Sequence, residues 1–160
     1  MTPNLPDLNV IADIAEAYAE TEGVYSGERV ADFNTYLSDM GWIVVGWGCS
    51  RKVIRHPDFP FVVVKLPHGK YANKTNMEEY ENWTHATPEQ RAFMAEIYYA
   101  EPFGKFIIME AMHGSNLGYK ESDEAQAVLP FWQDIANFNG RIRYMAPNAV
   151  KIVKVVDYPY

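Results

Sequence analysis

The order of elements predicts an α+β fold with a mainly antiparallel sheet. Three observations carry it. Two stretches of helical periodicity open the chain. Residues 61–66 (FVVVKL) are β-branched and apolar on both faces, as a buried strand is. Short strand-like and helical blocks then alternate, joined by turn signals.

Taken in order, residues 7–20 place Leu8, Ile11, Ile14, Ala15 and Tyr18 at helical spacing, and Gly23 is a stop signal. Residues 28–39 form a second helix with Val30, Phe33, Tyr36 and Leu37 on one face. Residues 42–45 read as a strand, broken by Gly46-Trp47-Gly48 and resumed by residues 51–55. His56-Pro57-Asp58-Phe59-Pro60 is a turn, and the strand over 61–66 follows. Thr75 with Glu78, and Thr87 with Gln90 and an intervening Pro88, each fit a capping box and start helices. Residues 97–100 and 105–109 read as strands around a turn at Pro102-Phe103-Gly104. Residues 121–138 carry a further helical pattern that Pro130 kinks or breaks. Asn139-Gly140 is a hairpin-type turn signal, and 141–144 and 150–156 read as the last strands.

Length and composition narrow the function. A chain of 160 residues suits one domain with its own core. Hydrophobic residues at 48% against 22% charged are an ordinary globular balance. No apolar run approaches the ~18 residues of a membrane span, and residues 1–10 lack the pattern of a signal peptide, so a cytoplasmic protein is expected. A net charge of −7 disfavours direct nucleic-acid binding, which rests on neutralising phosphates with Lys and Arg. The acidic residues come in ones and twos, a sparser pattern than a nucleic-acid mimic needs, though that reading stays open. Cys49 is the one cysteine, which excludes an internal disulfide, and His56, His68, His85 and His113 are scattered without metal spacing, as surface or loop residues are.

The chemistry concentrates between Val45 and Lys65. Glycines at 46 and 48 let backbone amides approach phosphates without a side chain in the way. Lys65 closes an apolar Val-Val-Val run, where it either reaches α- and β-phosphates or surfaces with its head in water. A carboxylate on the following helix would hold that lysine. Glu78, Glu79 and Glu81 are available, and Glu79 is preferred because Met77, Tyr80 and Trp83 suggest the packed face.

Gly46-Trp47-Gly48-Cys49-Ser50-Arg51-Lys52-Val53, His56-Pro57-Asp58-Phe59-Pro60 and Val62-Val63-Val64-Lys65 together resemble small kinase-like proteins of bacteriophages, among them the early protein kinase of T7-like phages. The resemblance spans roughly residues 42–113. It extends through Asn76-Met77-Glu78-Glu79-Tyr80-Glu81-Asn82-Trp83, which looks like the αC helix, and through 106–112, which looks like the strand leading to the adenine hinge. It implies a kinase-like N-lobe over 41–115, preceded by two extra helices (1–40) and followed by a truncated catalytic part (116–160), all one domain. It implies Gly46, Gly48, Ser50, Lys65 and Glu79 as ATP-binding residues, Asn139 and Asp157 as Mg²⁺ ligands and Asp134 as the catalytic aspartate.

The sequence departs from the kinase pattern in several places. No third glycine follows Gly48, only Ser50-Arg51; Gln133 stands before Asp134 where the family has Arg; and the chain stops at Tyr160, where kinases continue. By their residue types alone, Asp134 and Asn139 are more often a solvated helix residue and the Asn of an Asn-Gly turn. The resemblance therefore implies a degenerate, pseudokinase-type protein that binds and modulates a host protein, such as a transcription or defence enzyme, with a minimal active kinase as the alternative.

Overall fold

The computed structural model describes residues 3–21, 27–47, 51–68, 73–91, 95–111, 140–145 and 152–157. Gly48, Cys49, Ser50, His113, Asp134, Asn139 and the helical pattern over 121–138 lie outside them.

Helix α1 runs Leu8–Ala19 and begins where the Asp7 carboxylate accepts the Asn9 and Val10 amides at 2.8 and 3.3 Å, an N-cap that satisfies two otherwise orphan donors. Its buried residues, Ile11, Ile14, Ala15 and Tyr18, follow the i, i+3, i+4, i+7 spacing of a core-facing stripe. Leu8, in the first turn at the same helical spacing, is exposed. Helix α2 spans Gly27–Asp39 and buries Phe33 and Leu37, whereas Tyr36 turns outward. Its end is a Schellman motif: Trp42 N–H donates to Leu37 O at 2.9 Å and Gly41 N–H to Ser38 O at 3.0 Å, with Gly41 at φ 83°.

The sheet has five antiparallel strands in the order β1-β2-β3-β5-β4, with β1 Ile43–Trp47, β2 Arg51–Arg55, β3 Val62–Pro67, β4 Ile97–Ala100 and β5 Ile107–Glu110. Strand β3 takes the central place that its two-faced apolar sequence demands. Phe61, expected within it, lies in the preceding turn and is exposed. Helix α3, Asn73–His85, and the short α4, Pro88–Arg91, connect β3 to β4. Helix α3 begins two residues before Thr75, so Thr75 and Glu78 lie within the helix and do not cap it. Helix α4 starts at Pro88 as its sequence predicts.

Register assigns the two faces. Lys65 pairs with Val53 on one side and Ile107 on the other, so these residues share a face with Arg51, Val63 and Met109. Val62, Val64, Leu66, Ile54, Phe106 and Ile108 belong to the opposite face, where they form the main core with Ile11, Ile14, Tyr18, Phe33, Leu37 and Trp42. Helices α1 and α2 thus cover the back of the sheet, and α3 packs on the Lys65 face beside a smaller cluster of Ala95, Ile97, Ile107 and Met109. A separate antiparallel pair joins β6, Gly140–Met145, to β7, Ile152–Asp157. Gly140 is therefore a strand residue opposite Asp157, not a turn residue. Among the described residues no helix is long and apolar enough to cross a membrane.

Candidate nucleotide site

On β3, Lys65 projects from the face covered by α3. Helix α3 turns Asn76 and Glu79 inward, one helical turn apart on a single stripe. The Lys65 ammonium donates to both Glu79 carboxylate oxygens, at 2.8 Å to Oε1 and 3.1 Å to Oε2, and both side chains are buried. The lysine head does not surface into water. Glu79 is the carboxylate that reaches it, but not because Met77 and Tyr80 mark the packed face: both are exposed, at 44% and 43%. The inward stripe is polar, and Trp83 flanks it against the smaller cluster.

A second cation enters the same cluster, and reading the sequence did not single it out. Arg51, the first residue of β2, is buried on the Lys65 face, and its Nη1 donates to Glu79 Oε2 and, at 3.1 Å, to Asn76 Oδ1. Asn76 in turn donates from Nδ2 to Lys65 O at 3.3 Å and to Gly104 O at 3.0 Å. Two residues of α3 are thereby tied to β2, β3 and the β4–β5 turn. A strand arginine is ordinarily read as surface; the available signal was its place where a third glycine is missing. The Arg51 Nε and Nη2 groups have no hydrogen-bond partner among the described residues.

Burial alone would raise the Glu79 pKa, but the neighbouring Lys65 and Arg51 charges and their hydrogen bonds outweigh it and hold the carboxyl below its ordinary value. The carboxylate is charged at neutral pH and anchors both cations.

Gly46 lies opposite Val53 on β1, next to an irregularity in the β1–β2 register between Val44 and Gly46. Val53 and Val63 lie on the same face of the sheet as Lys65 and are half-buried. Gly48 and Ser50 lie outside the described residues. Asp157 ends β7 opposite Gly140, and Asn139 lies outside the described residues. Asp134 also lies outside the described residues. Among the described residues no group of three or more His, Cys, Asp or Glu is placed to hold a metal ion.

On the back of the sheet, Lys52 is buried under α1 and α2 with its ammonium 5.0 Å from the Tyr18 ring centre and 5.2 Å from that of Phe33. Burial lowers its pKa, and the ring faces compensate part of the lost hydration. Tyr18 also hydrogen-bonds His68. His56 lies half-buried in the loop after β2: its Nδ1 accepts the Asp58 amide at 3.0 Å, so Nε2 carries the proton and donates to Met40 O at 2.9 Å, joining the His-Pro turn to the end of α2.

A five-stranded antiparallel sheet, a helix after the third strand and a lysine of that strand paired to a glutamate of that helix are the arrangement that a protein-kinase-like N-lobe has. No family model matches the chain, and no curated protein does. Among solved structures it is similar to the streptomycin-ATP-APH(2")-IIa ternary complex, an aminoglycoside phosphotransferase, at 16% identity and a TM-score of 0.38 over 63% of this chain. The chain spans about a third, 34%, of the length of that protein.

Proposed function

We propose that the protein binds ATP on the Lys65 face of its sheet, with Lys65 holding the phosphates and Glu79 fixing Lys65. The buried Lys65–Glu79 pair carries this reading. A lysine placed only for stability at this depth is better replaced by an apolar side chain, since desolvating an ion pair costs about as much as the pair returns. A preoriented ammonium beside a glycine-bearing strand suits a phosphate chain, and the half-buried Val53 and Val63 of the same face suit a flat base. Asn139 and Asp157 are the proposed Mg²⁺ ligands, supported by the register that puts Gly140 opposite Asp157, and Asp134 would orient an acceptor hydroxyl. Bound Mg²⁺ would neutralise phosphate charge there. In a melting experiment, millimolar ATP should raise the midpoint of the wild-type protein and adenosine should not. An equal rise in Lys65→Ala would show that the phosphates lie elsewhere.

A second reading concerns a protein partner. Strand β1 is an edge of the sheet and exposes Ile43, Val44 and Val45 in succession. An open edge with aliphatic side chains suits strand addition by another chain. We propose this edge as the surface through which a kinase-like phage protein would bind and modulate a host protein. Val45→Asp should abolish capture of that partner while leaving ATP binding intact.

A further inference from the structure

Arg51 is among the largest fully buried side chains of the structure, yet among the described residues its guanidinium bonds through one nitrogen. Nη1 carries both contacts, to Glu79 and to Asn76, while Nε and Nη2 are buried without a partner among the described residues. These two unused groups form one side of the planar fork. Their N–H bonds run nearly parallel, the geometry that grips two oxygens of one carboxylate or phosphate. A buried cationic donor without an acceptor is destabilising and needs a compensating role.

The position adds to this. In the pattern G-x-G-x-x-G-x-V, Gly46, Gly48 and Val53 fall on the first two glycines and the valine, so Arg51 stands where the third glycine belongs. That register puts its side chain on the Lys65 face of β2. Arg51 and Lys65 both bond Glu79 Oε2, so two cationic heads converge on one carboxylate oxygen. A ligand that suits both carries more than one negative charge.

We propose that Arg51 is a phosphate-binding residue, its Nε/Nη2 edge gripping two oxygens of a phosphoryl group next to Lys65; this rests on reading the Lys65 face as the nucleotide site. Arg51 replaces with a charged fork the backbone contact that a third glycine would provide. Asn76 and Glu79 act as positioning residues, holding Nη1 so that the other edge stays aimed. The phosphoryl group belongs to a bound nucleotide or to a free phosphate, and the two sources separate by experiment.

The test follows the Arg51 Nε–H resonance of the intact wild-type chain by NMR, assigned through its bonds to the Arg51 side-chain carbons, during titration with ATP and separately with inorganic pyrophosphate. The expected result is a saturable shift with ATP, and ATP binding at least tenfold weaker in Arg51→Lys, which keeps the charge and loses the fork. A shift with pyrophosphate and none with ATP supports the phosphate role and rejects the nucleotide reading. ATP binding that depends on Lys65 with a silent Arg51 resonance overturns the proposal and leaves the nucleotide reading standing. No shift with either ligand overturns it as well. The resonance reports on the wild-type protein, so the outcome stands even where the variant does not fold.

Discussion

Glu79 holds two buried cations, which makes it the residue whose loss the lobe should tolerate least. Glu79→Gln leaves Lys65 and Arg51 facing a neutral amide and should cost roughly 3–5 kcal/mol of stability, read by denaturant unfolding. The cost should depend on pH with a definite sign. The folded-state pKa of Glu79 lies below its ordinary 4.5, so its contribution is present in full above that value and is lost as pH falls through the folded-state pKa. The stability gap between wild type and Glu79→Gln should therefore be flat at neutral pH and narrow in acid. A gap that stays constant into acid would show that the carboxylate is not held ionised by these cations.

What could be read in advance at this scale was uneven, for physical reasons. Lys65 was legible because an apolar β-branched run ending in lysine is unusual in a buried strand. Glu79 was chosen from an expected apolar face of Met77 and Tyr80, yet α3 turns a polar stripe inward, and hydrophobic periodicity cannot detect a helix face buried through ion pairs. Arg51 was missed for the same reason. A charged residue in a strand looks like a solvent-facing one until its partners, 25 and 28 residues away, are known.

At the level of elements, the site depends on how α3 is seated against the β4–β5 turn. That turn is built by the Glu101 carboxylate, which accepts the Phe103 and Lys105 amides at 2.9 and 2.8 Å, and by Gly104 at φ 75°. A Cβ on Gly104 would collide with the Asn73 carbonyl at the start of α3. Gly104→Ala combines a left-handed backbone with that collision and should cost about 1–3 kcal/mol. Displacement of α3 should also loosen the Lys65–Glu79 pair, so amide exchange should rise along Asn73–His85 beyond what the stability loss alone explains. Unchanged protection of α3 in a folded Gly104→Ala protein would mean that the turn does not position the helix. The strands and first helices were legible because their periodicities are strong, as in the Ile11, Ile14 and Tyr18 stripe. The start of α3 was not, because Thr75 with Glu78 imitates a cap inside the helix.

On the scale of the whole molecule, the two faces of the sheet are specialised. Helices α1 and α2 cover the back and supply the larger core, which leaves the other face to α3 and the charged cluster. Stability and binding should separate accordingly. Ile14→Ala removes a fully buried side chain from the back and should cost about 2–5 kcal/mol while leaving ATP affinity unchanged at temperatures where the protein is folded. Lys65→Ala should do the reverse in binding, removing the group proposed to meet the phosphates.

The central claim is that the Lys65 face is a nucleotide site, and isothermal titration of the folded protein with ATP and Mg²⁺ tests it most directly. The account predicts saturable binding in the millimolar range or tighter that weakens at least tenfold in Lys65→Ala. No heat of binding from folded wild-type protein at millimolar ATP, or equal affinity in the variant, would contradict it.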